Sequence, residues 1–391
     1  MTRPDPDWDP LASESVADPI GVQGRLREKC PIAWTERAGG FWSLLRYDDV
    51  VAATKNSETF AQGKPQRGEP RPPLEINPPL HTSFRQVLNP FFNRQAVLAT
   101  EPRVRRVIAQ LLEPLLAAGG GDLAPSFTYP LPTRVLCAFL DLPDETWVLL
   151  DELSNQIYLN EEGRGGDPSL VQAAEDELTA YSLRLVTQRR GSPLDPAVDL
   201  VSGLIAAQVD GRALDDAEIV NVLRLLFVAG HNSTTSSLGI VLMNIARSDE
   251  VQARLREDPR LIPGAISEFL RLDTPVMAMP RTVTRDLEIG GREVRQGDQV
   301  FLVWASANRD PQQFAAPDQC VLDRRPNPHL VFGRGIHACI GRGLAELELR
   351  VAVEEILNRT RRIALAVPVE RTSWVRFGVS SLPVTLESGP G

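Results

Sequence analysis

The sequence is poor in cysteine, and its few cysteines do not form a disulfide framework. Cys30, Cys137, Cys320 and Cys339 are scattered over 391 residues, and no two of them make a CxxC pair. Domains that depend on disulfides are typically small, secreted and dense in cysteine. The thiols therefore indicate a reducing compartment, and we expect a cytoplasmic protein.

Long apolar runs are also missing from the start of the chain. Residues 1–21 are polar and rich in proline, and they contain neither the apolar core of a signal peptide nor a membrane-spanning segment. We therefore expect residues 1–20 to form a polar tail, and we expect a soluble protein with no membrane anchor.

Positive charge is in deficit, which argues against nucleic acid as a partner. The chain has 42 Lys and Arg against 51 Asp and Glu, for a net charge of −9, and an acidic field repels phosphate. No helix-turn-helix, zinc-finger or RNA-binding signature is present. With 42% hydrophobic residues, the chain can bury a large core, either as one domain or as two smaller ones.

What the sequence does contain is a glycine-rich loop that runs into a helix. Residues 332–345 read FGRGIHACIGRGLA, and Gly333, Gly335 and Gly341 permit the sharp turns that would present Cys339. The residues after Gly341 have the spacing of an amphipathic helix, whose N-terminus favours a nearby thiolate. The alternative is that Cys339 is an ordinary buried thiol.

These fourteen residues match, position by position, the haem-ligand signature FGxGxHxCxGxxLA. The chain thereby resembles the cytochrome P-450 family of haem-thiolate monooxygenases. The resemblance implies that the Cys339 thiolate ligates the iron of haem b and favours O–O cleavage. It places Phe332 and Gly333 at the cofactor and His337 on a haem propionate. It also implies a mainly α-helical, single-domain fold over residues 1–391, with a small β-sheet region and no fused reductase.

A second cationic segment follows two prolines. His81 and Arg85 are four residues apart and so share one face of a predicted helix, which is either a binding face or simply a solvated one. Residues 76–92 resemble the family's haem-flanking helix, which implies that His81 and Arg85 bind a propionate. The resemblance assigns Arg281 as a third propionate partner.

Residues 215–247 have the periodicity of one helix about 50 Å long. At its centre, Gly230 is followed by seven short or polar residues, 231–237, which compete for backbone hydrogen bonds. The pattern predicts either helix packing through small residues or a local distortion that makes room for a diatomic ligand and water.

The family pattern AGx(D/E)T(T) is partly present in this helix. Ala229 and Gly230 fit, but Asn232 stands at the acid position and Ser233 at the alcohol position. Aligning the family pattern one residue later would make Thr234 the functional alcohol. The alignment without a gap, here called the ungapped frame, favours Ser233.

The amide of Asn232 cannot titrate near neutral pH, so protons for dioxygen activation must come through water, Ser233, Thr234 or His231. The missing acid motivates one alternative, a haem-thiolate enzyme of the peroxygenase or nitric oxide reductase type. Another alternative is a haem sensor or carrier without turnover.

Glu268 and Arg271 are three residues apart on one helical face, a spacing that is often a weak surface ion pair. They resemble the family's ExxR motif, which implies a structural role together with a downstream arginine. The spacing to His329 favours Arg324 over Arg325 as that arginine.

The resemblance also implies a substrate site and redox partners. Leu226, Met277, Ala278 and Met279 would line a pocket for a small or medium apolar organic substrate, with core filling as the alternative for the methionines. Dioxygen would be the co-substrate, and NAD(P)H would supply electrons through ferredoxin reductase and ferredoxin. Arg334 and Arg342 would meet acidic groups of that partner. We expect a monomer.

The remaining periodicity predicts the scaffold. Helices are expected at 22–29, 47–55, 101–118, 130–140, 144–159 and 169–190. Strands are expected at 31–34, at 41–46 and in the tail 362–387, with a hairpin over 286–300. A turn is expected at 119–121 and an irregular loop over 63–79.

Overall fold

Helices make up most of the secondary structure in the computed structural model, which describes residues 3–63, 69–160, 166–369, 371–372 and 378–389. Parts of three predicted segments lie outside the described residues: residues 1–2 of the tail, 64–68 of the irregular loop, and 370 and 373–377 of the strand region. Contacts divide the chain into two compact units that are each discontinuous in sequence. Unit 1 comprises Met1–Gly63, Arg260–Cys339 and Glu370–Ser380, and unit 2 comprises Lys64–Pro259, Ile340–Val369 and Ser381–Gly391.

The α-helices, in chain order, are α1 Ser13–Ala17, α2 Pro19–Lys29, α3 Tyr47–Lys55, α4 Leu80–Leu88, α5 Arg94–Ala117, α6 Pro130–Phe139, α7 Thr146–Leu159, α8 Pro168–Gly191, α9 Leu200–Ala206, α10 Asp216–Ala246, α11 Asp249–Glu257, α12 Ile262–Leu272, α13 Trp304–Ala307 and α14 Arg342–Arg359. All predicted helices are confirmed. Helices α1, α9, α11 and α13 were not predicted. The expectation of a polar tail over residues 1–20 was wrong in part, because α1 and the first residues of α2 lie in this segment.

The strands are β1 Ile32–Thr35, β2 Phe41–Leu44, β3 Phe60–Ala61, β4 Gly120–Asp122, β5 Gln208–Val209, β6 Arg212–Ala213, β7 Met279–Val283, β8 Leu287–Ile289, β9 Arg292–Val294, β10 Gln299–Leu302, β11 Thr360–Leu365, β12 Arg371–Thr372, β13 Gly378–Val379 and β14 Pro383–Ser388.

Unit 1 is built on a five-stranded sheet in the order β1-β2-β10-β7-β3. Strand β10 lies parallel to β2 and antiparallel to β7. Apolar side chains of this sheet and of α3 form a core that includes Trp42, Val50 and Val300. The predicted hairpin is confirmed as β8 and β9, which pair antiparallel.

Unit 2 is built around α10, most of whose side chains are buried. The helix begins with a capping box between Asp215 and Glu218, which satisfies two backbone N–H groups of its first turn. Helices α6, α7, α8, α9, α11 and α14 pack against it. This arrangement makes α10 the axis of the unit.

Two expectations for unit 2 were wrong. The secondary structure of α10 is α-helical without a break from Asp216 to Ala246, so the predicted local distortion is not present. The hydroxyls of Ser233 and Ser237 donate to carbonyls one turn earlier, at 3.1 and 2.7 Å, so these polar residues are accommodated inside the helix.

The second correction concerns the glycines predicted as a turn. Gly120–Asp122 form strand β4, which pairs antiparallel with β14. A Cβ on Gly120, whose φ is +139°, would lie 2.2 Å from the carbonyl oxygen of Val384. Glycine is therefore needed for strand pairing at this position rather than for a turn alone.

Candidate functional site

The cysteine loop, residues 332–339, closes on itself within unit 1. The backbone N–H of Cys339 donates to the carbonyl of Phe332 at 2.8 Å, and a short 3-10 turn spans Gly335–His337. Gly333 and Gly335 have φ values of +67° and +74°, which favour glycine. The side chain of Cys339 is exposed at the end of this loop, and α14 begins at Arg342. The predicted glycine-hinged loop leading into a helix is confirmed.

The predicted trio of Glu268, Arg271 and Arg324 is in contact. Side chains of Glu268 and Arg271 are fully buried, and two hydrogen bonds of 2.8 Å join them. Arg324 Nε donates to both carboxylate oxygens at 3.0 and 3.1 Å. Burial alone would raise the pKa of the Glu268 carboxyl, but hydrogen bonds from Arg271, Val321 and Arg324 bring it below its usual range.

Asn308 connects this trio to the cysteine loop, a role that sequence reasoning missed. Arg271 Nη1 donates to the Asn308 carbonyl at 2.8 Å, and Asn308 Oδ1 accepts from the backbone N–H of Leu330 at 2.7 Å. Leu330 then accepts from Gly333 N at 2.9 Å. The sequence feature that could have indicated this role is the NRDP stretch that begins at Asn308.

Arg281 is a buried cation on β7 in unit 1. Its side chain is 6% exposed, and its Nη1 donates to the carbonyl of Pro280 at 2.7 Å. Burial lowers the pKa of the guanidinium to about 10, so it stays charged at pH 7. Among the described residues, no carboxylate forms an ion pair with it. A buried charge in this state fits an anionic ligand such as a propionate.

His81 and Arg85 lie on α4 in unit 2, as the spacing predicted. His81 is buried at 3% exposure, and Arg85 is half-buried. Since α4 is continuous from Leu80 to Leu88, the two side chains are one turn apart on one face.

The centre of α10 has one open face in an otherwise buried helix. Ala229 and Gly230 are exposed and Ser233 is half-buried, whereas Thr234 is 5% exposed. A Cβ on Gly230 would meet a single heavy atom within 4 Å, Leu136 Cδ2 at 3.9 Å. Because Ser233 and not Thr234 reaches the open face, the geometry favours the ungapped frame.

Next to this face, two buried polar atoms have no hydrogen-bond partner among the described residues. They are Asn232 Nδ2 and Thr235 Oγ1, on residues that are 6% and 8% exposed. Buried polar groups are normally satisfied by protein or by water. The Asn232 amide is therefore available to donate to a ligand or to water, although it cannot supply a titratable proton.

The side chain of His231 contacts α6 and α7 and not the open face of α10. Its Nδ1 lies 2.8 Å from Thr133 Oγ1, and its Nε2 lies 3.2 Å from Asn155 Oδ1 and 3.4 Å from Asp151 Oδ1. Burial raises the pKa of the Asp151 carboxyl to about 6. These contacts favour a role in helix packing for His231 over one as a proton donor at the open face. Nothing in the sequence singled out Asp151.

The four residues predicted to line a substrate pocket are mostly packed in cores. Ala278 is 1% exposed and packs in a cluster of unit 1 with Phe41 and Val303. Met277 is 2% exposed, Met279 is half-buried, and Leu226 is 8% exposed in the core of unit 2. The pocket assignments of all four residues stay predictions.

Hydropathy sets one further limit on the described part of the chain. None of its helices combines the length and the apolar content that crossing a membrane requires.

Comparison with known proteins identifies the family. The family model described as cytochrome P-450 matches residues 165–362. Erythromycin C-12 hydroxylase of Saccharopolyspora erythraea is 34% identical over 382 residues, covering 94% of this chain and 94% of the hydroxylase. The cytochrome P-450 PksS of the Bacillus subtilis 168 bacillaene polyketide synthase superposes with a TM-score of 0.88 and 30% identity, covering 97% of this chain and 100% of that one.

A further structure, the hydroxylase HmtN of himastatin biosynthesis, has a TM-score of 0.85 and 30% identity, covering 95% of this chain and 97% of HmtN. The predicted fold class, mainly α-helical with a small β-sheet region, is confirmed by these structures. The family binds haem through a cysteine thiolate and receives electrons from redox partners. With this extent of similarity, the chain belongs to the cytochrome P-450 family of haem-thiolate monooxygenases.

Proposed function

We propose that the protein is a cytoplasmic, monomeric enzyme, a single domain over residues 1–391, that inserts one oxygen atom of dioxygen into an apolar organic molecule. Ferredoxin and ferredoxin reductase would pass it electrons from NAD(P)H. The observation that carries the proposal is the exposed Cys339 at the end of a loop that matches the haem-ligand signature in full.

In unit 1, we assign Cys339 as the haem ligand. Phe332 and Gly333 shape the loop behind it, and His337 lies in the 3-10 turn two residues before it. Arg281 would bind a propionate, because its buried charge requires an anion. Bound haem supplies a thiolate-ligated iron at which dioxygen is activated.

In unit 2, His81 and Arg85 are assigned to propionate binding, and α10 to the reacting side of the haem. Ala229 and Gly230 leave space on the open face of α10, Ser233 presents a hydroxyl there, and the Asn232 amide can hold water. Thr234 is the second choice for the hydroxyl. Protons would reach the reaction through water and Ser233, since Asn232 does not titrate.

The names and bound ligands of relatives support the proposed substrate class. One relative is named erythromycin C-12 hydroxylase, and structures similar to this chain contain testosterone or erythromycin B. These ligands support an organic substrate with a large apolar surface and a hydroxylation, dealkylation or epoxidation reaction. Leu226, Met277, Ala278 and Met279 remain the proposed pocket residues.

A second candidate reaction is driven by peroxide instead of dioxygen and two electrons, and Asn232 in place of an acid favours it. The test is turnover of the haem-loaded protein with NADPH and surrogate ferredoxin partners under ¹⁸O₂, using testosterone as a trial substrate. We expect one ¹⁸O atom in the product. Product formed with hydrogen peroxide alone, and none with NADPH, would establish the second candidate instead.

The first prediction tests whether Ser233 or Thr234 is the functional alcohol of α10. Ser233→Ala should lower the share of NADPH electrons recovered in product by about tenfold, with more hydrogen peroxide released, because a proton donor is lost from the open face of α10. Thr234→Ala is the matched control and should change this share far less. A larger loss at Thr234 would show that Thr234, and not Ser233, is the functional alcohol.

Asn232→Asp should raise the share of NADPH electrons recovered in product, since it restores an acid at this position of α10.

Propionate binding gives the second prediction. Arg281→Ala should release haem to excess apomyoglobin about 5 to 150 times faster, because a charge-assisted contact of about 1 to 3 kcal/mol is lost. Arg85→Ala should act in the same direction. Arg342→Ala is the control, since Arg342 is 57% exposed and pairs with Glu346 on the surface. Equal rates in all three variants would contradict the propionate assignments.

A further inference from the structure

We propose that α3 is a second anchor of the cysteine loop and that Tyr47 is the positioning residue of that anchor. The inference rests on the proposed role of Cys339 as haem ligand. It concerns unit 1 alone, and it adds to the anchor formed by Arg271 and Asn308.

Tyr47 joins the cysteine loop to the segment that precedes it. The residue is 5% exposed. Its phenol hydroxyl donates to the carbonyl of Pro328 at 2.7 Å and accepts from Arg334 Nη1 at 3.2 Å. Its backbone N–H donates to Asp310 Oδ2 at 2.9 Å, which fixes the start of α3. One side chain thus holds both ends of residues 328–334, five residues before Cys339.

The other end of α3 supports the same loop. A Cβ on Gly335 would lie 2.2 Å from the carbonyl oxygen of Thr54, so the loop backbone rests directly on the last turn of the helix. Tyr47 and Thr54 are separated by about 10 Å along the helix. The loop therefore contacts α3 through Arg334 at the first turn and through Gly335 at the last, so both ends of α3 support the loop.

The aromatic ring of Tyr47 is held independently of its hydroxyl. It packs edge-on against Phe314 with ring centroids 5.9 Å apart, and the guanidinium of Arg271 lies 5.0 Å from the centre of the Phe314 ring. Removing the hydroxyl alone should leave this packing in place. The change Tyr47→Phe consequently tests the two hydrogen bonds rather than the fold.

The two anchors restrain different parts of the loop. Asn308 holds its start through Leu330, and Tyr47 holds its middle through Arg334. A ligand held by a rigid shell binds its metal in one geometry, and losing a supporting contact weakens that ligation. Loosening the Tyr47 contact should therefore appear as haem-loaded protein that lacks thiolate ligation.

The experiment is the carbon monoxide spectrum of the reduced, haem-loaded protein, from which the ratio of non-thiolate to thiolate complex is measured. We expect Tyr47→Phe to raise this ratio about fivefold, the change expected when the one of its two hydrogen bonds that reaches the cysteine loop, from Arg334, is lost. Arg334→Gln should raise it as well, and the double variant should exceed the larger single effect by little. Tyr181→Phe, the same change on α8 of unit 2, should leave the ratio unchanged.

Two results overturn the proposal. One is a wild-type ratio in Tyr47→Phe, and the other is an equal rise in Tyr181→Phe, which would show a general effect of losing a phenol. A parent protein without any thiolate-type spectrum would instead refute the proposed function. The failure of the anchor and the failure of the haem assignment are thereby distinguishable.

Discussion

Cys339→Ala is expected to abolish the thiolate-type carbon monoxide spectrum completely, whereas alanine at Cys30, Cys137 or Cys320 should leave it intact. Burial raises the pKa of the Cys30 and Cys137 thiols, that of Cys137 to about 12, so these two resist becoming thiolates. Cys320 is exposed but lies outside the loop that carries the haem-ligand signature. Cys339 is exposed at the end of the glycine-hinged loop and precedes the start of α14 by three residues.

The measurement pairs this spectrum with haem content from the pyridine haemochrome. Cys339→Ser is the conservative companion variant, since it keeps the size of the side chain and replaces a thiolate with a weakly acidic hydroxyl. It should also lose the thiolate-type band. A normal band in Cys339→Ala would remove the haem-ligand assignment altogether, whatever the haem content.

The cysteine loop and its helix could be predicted from sequence because they are encoded locally. Gly333 and Gly335 adopt positive φ values within the loop itself, and the helix that follows is rich in the strong helix formers Ala, Leu, Glu and Arg and contains no proline. The choice of Arg324 over Arg325 was also correct, and it came from spacing within a resembling segment. These features require no knowledge of distant parts of the chain.

Contacts between distant segments could not be predicted in the same way. Tyr47 meets Arg334 across 287 positions, and His231 meets Thr133 across 98. Neither pairing leaves a periodic trace, because each depends on how whole helices and loops pack. The distortion predicted at the polar centre of α10 is absent for a different reason. Serine hydroxyls can donate to carbonyls of their own helix, so a polar run does not by itself require a break in the helix.

The buried trio supplies the largest stability effect expected outside the haem ligand. Arg271 donates to Glu268 twice at 2.8 Å, to the carbonyl of Pro317 at 2.7 Å and to that of Asn308 at 2.8 Å. Arg271→Met would remove these bonds together and leave the Glu268 carboxylate buried with less compensation. Breaking a buried ion pair from one side costs about 3 to 5 kcal/mol.

We therefore expect Arg271→Met to lower the free energy of unfolding in urea by that amount, with less haem bound, since Arg271 also holds Asn308 and through it the cysteine loop. Arg362→Met is the matched control. Its pair with Asp249 is 2.9 Å long but 49% and 65% exposed, so solvent screens it and its loss should leave the free energy of unfolding nearly unchanged. If the two variants unfold at the same urea concentration, the buried trio does not stabilise the fold in the way its geometry indicates. If Arg271→Met is destabilised but keeps its full haem content and thiolate-type spectrum, the path through Asn308 does not position Cys339.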